Sequence, residues 1–417
     1  MKTIKIVHFA DVHLGMENYG KVDAETGLNS RLGDFLKSFD TIVDFSLKNK
    51  VDLVTFAGDA YKTREPSPTY QREFAKRIYK IASVGIPVAM VVGNHDFPNA
   101  SGKADTLEIF PTLSIPNVTV FKKIDFKIIK TSSGPIQVIG LPWLVKSQVL
   151  DKNDILRLSQ EETFKKAADN ISKDVESIIS QIDKKLPAIL VGHASVEGSV
   201  YGSERQVMLG SEIVLPLRIF KNRSFQFVGL GHLHKYQVIS NPPAGGPPIV
   251  YPGSIDRVDF GEEKEEKGFI FSEIINKDNN FTGKISFIKI PIRPFITIKI
   301  NILEKTSDPT EFIVKEIRKQ KIKDSIVKVI IKIPEHKSSE INEAPIRDAL
   351  KSAFFVAGII KEVESFDRIQ KAEIFSDEFS SLDSVGMLEK YLKNKKVPKA
   401  RIEILKKETQ KLLEETI

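Results

Sequence analysis

The stretch Gly93-Asn94-His95-Asp96 follows directly on the apolar run Ile86-Pro-Val-Ala-Met-Val-Val92. A short apolar run of this kind reads as a buried strand, so its exit delivers an amide, an imidazole and a carboxylate together. A rigid strand end suits metal ligands, which must be held in place before the ion arrives. The same grammar recurs four more times. Ile4 to Ala10 ends in Asp11-Val12-His13, and Val51 to Ala57 ends in Gly58-Asp59. Ala188 to Val191 ends in Gly192-His193, and Phe225 to Leu230 in Gly231-His232-Leu233-His234. Ligands gathered at the carboxyl ends of strands are what an open α/β sheet offers, and the fold class is read as α/β.

Composition bounds the function. A chain of 417 residues holds two or three domains, and 41% hydrophobic with 28% charged residues is a globular composition. No run reaches the ~18 apolar residues a membrane span needs. The start Met1-Lys-Thr-Ile-Lys5 leads into a strand and not into a signal peptide, so the expected address is cytoplasmic, with no membrane partner. The absence of cysteine excludes disulfides and thiolate metal sites, which leaves nitrogen and oxygen as donors. A net charge of +7 suits a polyanionic partner without specifying one.

Residues 1–290 alternate strand and helix patterns. Tyr70, Phe74, Ile78 and Ile81 recur at helical spacing after Pro66, and a long charged helix is expected over Gln160 to Lys185. Pro291-Ile-Arg-Pro294 reads as a boundary. Residues 291–370 follow as a small α+β unit with helices over Thr310 to Lys319 and Ala344 to Phe355. Residues 371–417 form a polar tail with helical patterns near Val385 to Lys393 and Lys399 to Glu415. Leu388 to Ile417 carries nine Lys or Arg against five Glu, more than half the net charge of the chain, and reads as a partner-binding appendage in preference to the solvated end of a domain.

Taken singly these motifs are weak, since a lone Gly-His is more often a core histidine. Five of the seven histidines, however, fall in strand-exit motifs; His8 is assigned to packing and His336 to an exposed loop. Asp11, His13, Asp59, Asn94, His193, His232 and His234 are seven donors, too many for one first-row ion and suited to two. Asp59 is the natural bridging carboxylate. Two ions ~3.5–4 Å apart lower the pKa of a water between them towards ~7, which suits in-line attack on a phosphoester. His95 next to Asn94 is then placed to act as a general acid, a role contributing ~10² to 10⁴ in rate, or to serve as an eighth ligand or as a hydrogen-bonded group behind the ligands. Asp96 is read as support for His95 or for its loop.

These motifs, in this order, resemble the calcineurin-like metallophosphoesterase superfamily, which implies a two-sheet α/β sandwich. Phe9-Ala-Asp11-Val-His13-Leu-Gly15, Gly58-Asp-Ala-Tyr-Lys-Thr-Arg-Glu-Pro-Ser67 and the C-terminal additions are similar to the meiotic recombination eleven/SbcD family of DNA double-strand-break repair nucleases, in particular its archaeal members. That resemblance implies two Mn2+, one on Asp11, His13, Asp59 and His234, the other on Asp59, Asn94, His193 and His232, with His95 catalytic. The donor types also admit Mg2+, Zn2+ or Fe2+. The resemblance further implies 3′ to 5′ exonuclease action on duplex DNA and endonuclease action on single strands or hairpins. It implies a DNA-capping role for 291–370 and C-terminal helices that bind an ABC-type coiled-coil ATPase. Nucleoid association and, in archaea, an end-resection helicase and nuclease as partners also follow from it. A homodimer would form through the Tyr70, Phe74, Ile78 stripe and the Ala104 to Leu113 segment. Lys62 stands where many members carry a histidine, which bears on the balance of exonuclease and endonuclease action. The alternatives are a metallophosphatase or small-molecule phosphodiesterase on the same sandwich, and a DNA-end tether whose catalysis is secondary.

Overall fold

The computed structural model describes residues 3–98, 102–202, 212–241, 246–278, 280–364, 386, 388–389, 392–393 and 399–414. Two compact units emerge, one of residues 1–296 with 324–326, the other of 297–323 with 327–417.

In the first unit the expected alternation appears as β1 (Thr3–Phe9), α1 (Ser30–Lys48), β2 (Leu53–Phe56), α2 (Pro68–Ala82), β3 (Val88–Val91), β4 (Val118–Phe121), β5 (Asp125–Thr131) and β6 (Gly134–Leu141). A 22-residue helix, Gln160–Gln181, leads to β7 (Ala188–His193). Short β8 (Ser195–Val196) and β9 (Val214–Leu215) precede β10 (Phe227–Gly231), β11 (Gln237–Ser240), β12 (Ile249–Tyr251), β13 (Gly268–Lys277) and β14 (Asn280–Lys289).

Two six-stranded sheets result, ordered β14-β13-β1-β2-β3-β4 and β11-β12-β10-β7-β6-β5. The first is parallel over β1 to β4 and closed by the antiparallel β13 and β14. The second is parallel over β6, β7, β10 and β12, with β5 and β11 antiparallel at its edges. Their inner faces share one core, in which Ile6, Leu53, Ala89 and Val91 pack with Val138, Ile189, Val191 and Phe227. Strands covered on both faces must be apolar throughout, which is why the sequence shows apolar runs and not alternation.

Helices cover the outer faces. Leu32, Phe35, Phe39, Ile42 and Val43 of α1 bury one stripe against the first sheet, and Asn29 caps that helix by accepting from Arg31 N at 2.9 Å. Ser67 caps α2, so its start is set by Ser67-Pro68 and not by Pro66. Ala167, Ala168, Ile171 and Val175 of Gln160–Gln181 pack on the second sheet.

The α2 stripe corrects one expectation. Phe74, Ile78 and Ile81 are all 0% exposed within the core of their own chain and offer nothing to a second copy. The exposed apolar side chains of α2 and the 104–113 segment are instead Tyr79, Ile109 and Leu113, with Val84 just past the helix. A stripe at helical spacing faces the sheet that the helix crosses, so the exposed apolar side chains lie on the opposite face.

In the second unit, β15 (Phe295–Asn301), β16 (Ile326–Pro334) and β17 (Phe355–Glu364) form a three-stranded sheet with helices Pro309–Arg318 and Glu343–Ala349. The expected helix to Phe355 stops at Ala349, because Phe354-Phe355-Val356 favours a strand. The tail helix runs Lys399–Glu414. Of the expected 385–393 helix, residues 386, 388–389 and 392–393 are described and are helical, and the other four lie outside the described residues. No helix among the described residues is long and apolar enough to cross a membrane.

Candidate metal centre

The exits of β1, β2, β3, β7 and β10 converge at one end of the sandwich. The β1 to β2 pairing continues past the strands: Asp11 N donates to Gly58 O at 3.0 Å, His13 N to Asp59 O at 3.1 Å and Leu14 N to Ala60 O at 3.0 Å. This ladder sets Asp11, His13 and Asp59 side by side. All three take positive φ (52°, 46° and 63°), as does His232 (101°). Each such backbone state costs about 1–3 kcal/mol, and strain of this kind collects at functional sites. Gly93 is required by space: a Cβ there would lie 2.2 Å from Asp59 Oδ1.

Seven donor side chains meet. Asp59 divides its carboxylate, with Oδ2 at 3.7 Å from His13 Nε2 and Oδ1 at 3.5 Å from His193 Nε2. On the first side, Asp11, His13 and His234 each bring one donor atom within 4.8 Å of the others, and the Nε2 atoms of His13 and His234 are 2.9 Å apart. On the second side, Asn94 Oδ1 lies 2.8 Å from His193 Nε2 and 3.1 Å from His232 Nδ1. Asp11, Asp59 and His193 form a further group with the same spacing. The arrangement is two donor sets sharing Asp59.

Protonation fits cations. Burial holds His13 well below its ordinary pKa and pushes His193 down to about 4, so both rings are neutral. Burial opposes ionisation of Asp59, yet the surrounding imidazoles and the His95 amide keep its pKa below the ordinary carboxylate range. Neutral imidazoles around ionised carboxylates are the form in which these groups bind metal.

Three of the four donor rings are held by the far nitrogen. His193 Nδ1 is 2.6 Å from Ala57 O, His232 Nε2 is 2.7 Å from Glu212 Oε2, and His234 Nδ1 is 2.9 Å from Glu262 Oε1. Glu262 Oε2 pairs with the fully buried Lys267 at 2.9 Å. Trp143 packs on the His232 ring with centroids 4.9 Å apart. Glu212, Glu262, Lys267 and Trp143 are the residues that sequence reasoning missed. Glu262 and Lys267 lie in the run Glu262-Glu263-Lys264-Glu265-Glu266-Lys267, which reads as a solvated charge cluster.

His95 lies at the edge of the first set. Its ring meets His13 at a centroid distance of 5.0 Å, and His13, Asp59 and His95 also satisfy the donor spacing, so geometry alone admits either role. Its Nδ1 is 2.7 Å from the Lys62 carbonyl, which makes the backbone of Lys62, and not its side chain, the anchor. Asp96 does not hold His95. Its Oδ2 accepts from Asp59 N at 2.7 Å and Gly93 N at 3.0 Å, and its Oδ1 from Ala60 N at 3.0 Å and Thr106 Oγ1 at 2.9 Å. His8 is buried at 2.9 Å from Thr55 Oγ1 and edge-on to Phe227, inside the core.

Two open spaces flank the centre. One of about 400 Å3 is lined by Lys62, Thr63, Arg64, Glu65, Asn94 and His95. The other, of about 720 Å3, includes Arg64, Phe97, Lys103, Lys122, Trp143 and Gln148 among its walls.

Residues 4–236 match the calcineurin-like phosphoesterases, and the chain belongs to that family. The class defined by fold, family and donor clusters is that of metal-dependent phosphodiesterases. Within it, the chain is 29% identical over 299 residues to the SbcD component of the SbcCD nuclease of Staphylococcus epidermidis, covering 71% of this chain and 72% of that one. It is 24% identical over 385 residues to the DNA double-strand break repair protein Mre11 of Archaeoglobus fulgidus, covering 90% and 79%. A solved structure of a dimetal phosphatase from Danio rerio matches with a TM-score of 0.37 and 10% identity over 69% of this chain and 98% of that one.

Proposed function

We propose that the protein is a manganese-dependent DNA nuclease of double-strand-break repair. It would act as a 3′ to 5′ exonuclease on duplex ends and as an endonuclease on single strands and hairpins, in complex with an ABC-type coiled-coil ATPase. The observation that carries this reading is the split carboxylate of Asp59 between two donor sets, in a chain similar to repair nucleases over most of its length. Asp11, His13, Asp59 and His234 would hold one ion, and Asp59, Asn94, His193 and His232 the other. Two bound dications supply charge to the phosphodiester and acidify the attacking water.

The chain's own groups do the rest. His95, whose Nδ1–H donates to the Lys62 carbonyl, keeps Nε2 for the leaving oxygen and, in its doubly protonated form, delivers the Nε2 proton there. The flanking spaces give room for nucleotides on either side of the scissile phosphate, and Lys62 and Arg64 offer positive charge there, while Lys103 pairs with Glu65 and Lys122 with Asp105 and Glu108. Residues 291–370 would cap the DNA. In the tail, Ile402 is buried while Ile404 and Leu405 are exposed, so the latter two fit an ATPase contact. Tyr79, Val84, Ile109 and Leu113 would supply the homodimer contact.

Comparing hydrolysis of duplex DNA with that of a chromogenic phosphate ester, both with manganese, tests the reading. Cleavage of DNA supports it, and action on the small ester alone makes the protein a phosphatase or small-molecule phosphodiesterase. Truncation before Leu388 should abolish ATPase binding and leave nuclease activity; retained binding overturns the role given to the tail.

A further inference from the structure

We propose that Glu212 and Glu262 are positioning residues, each dedicated to one half of the centre: Glu212 sets the ion held by Asn94, His193 and His232, and Glu262 sets the ion held by Asp11, His13 and His234. This rests on the two-ion reading above and goes beyond it by assigning each ion a separate control.

A neutral imidazole carries one N–H, and a carboxylate only accepts. With Nε2 of His232 at 2.7 Å from Glu212 Oε2, the proton sits on Nε2 and the lone pair of Nδ1 faces Asn94 Oδ1. With Nδ1 of His234 at 2.9 Å from Glu262 Oε1, the lone pair is on Nε2 and faces His13. Two histidines two positions apart therefore present opposite ring nitrogens, and the two glutamates impose that difference. His193 needs no such residue, because the Ala57 carbonyl holds it.

Both glutamates are themselves built in. Glu212 Oε1 accepts from Ser195 Oγ at 2.9 Å. Glu262 Oε2 accepts from Val258 N at 2.9 Å and faces Lys267 Nζ at 2.9 Å, while the same ammonium donates to the His234 carbonyl at 2.8 Å. Lys267 thus clamps both the carboxylate and the backbone of the histidine it orients. A lysine and a glutamate buried to this degree cost desolvation that packing alone does not require, and the geometry they hold is that of a metal ligand.

The test is calorimetric titration of the metal-free full-length chain with Mn2+, with electron paramagnetic resonance to separate coupled pairs from single ions. The wild-type chain should take two ions. Glu212→Ala and Glu262→Ala should each weaken one ion ~10- to 100-fold and leave the other unchanged, as loss of a carboxylate behind a ligating histidine does. On a His234→Ala background Glu262→Ala should add no further loss, and the same should hold for Glu212→Ala on His232→Ala. Glu262→Gln, which still accepts the N–H, should recover part of the affinity. If Glu262→Ala fails to fold with Lys267 orphaned, Glu262→Gln with Lys267→Met removes both charges and carries the same expectation of one weakened ion.

Unchanged binding of both ions in folded variants overturns the proposal, and so does equal weakening of both ions by either glutamate. A wild-type chain that takes up fewer than two ions overturns the two-ion reading instead.

Discussion

The Asp96 carboxylate accepts from the amide nitrogen of Asp59 at 2.7 Å, which ties the exit of β3 to the exit of β2 through a fully buried bond. The same side chain gathers the amides of Ala60 and Gly93. Asp59 holds its left-handed φ of 63° because its own N–H has this partner.

Asp96→Ala should therefore destabilise the first unit by about 1–3 kcal/mol for each buried amide left unpaired. It should also weaken metal uptake. Asp96→Asn keeps one acceptor oxygen and should fall between the two. Denaturant unfolding and metal titration check both variants, and a wild-type response from Asp96→Ala would contradict the assignment.

Gly93→Ala places a methyl 2.2 Å from Asp59 Oδ1. The shared carboxylate and the Asp59 backbone nitrogen, 2.4 Å from the same methyl, must both move, and a displacement near 1 Å at a catalytic centre costs about 10²-fold. Phosphodiesterase activity should fall by that order while far-ultraviolet circular dichroism stays native.

His95→Ala separates the two roles that geometry leaves open. As a proton donor its loss should lower DNA cleavage ~10² to 10⁴-fold with two ions still bound. Reduced metal content in the purified variant would make His95 a ligand.

Arg293 pairs with Asp34 at 2.7 and 2.9 Å, and Asp34 also binds the buried Arg31. Burial resists the charge on Asp34, yet these guanidiniums hold its pKa below the ordinary 3.8. A carboxylate depressed in the folded state stabilises above its unfolded pKa and loses that contribution as pH falls through the folded value. Arg293→Ala should cost about 1.5–3 kcal/mol near neutral pH, and the gap to wild type should narrow below pH ~4. Urea unfolding at the two pH values tests the sign.

What could be read from the chain alone was local. Short apolar runs ending in Asp-x-His, Gly-Asp or Gly-His make buried strands with ligands at their exits, because strand burial and turn chemistry act over a few residues. Asp11, His13, Asp59, Asn94, His193, His232 and His234 were legible as candidate donors for that reason. The tertiary structure alone decided which ring nitrogen each histidine presents, which carboxylates hold those rings, and that Phe74 and Ile78 face inward. Glu212 and Glu262 reach their partners 20 and 28 residues away, and His13 meets His234 across 221. A charged side chain in a polar stretch reads as solvated until the fold closes over it, and the contact that makes it a clamp exists only when distant strand ends are brought together.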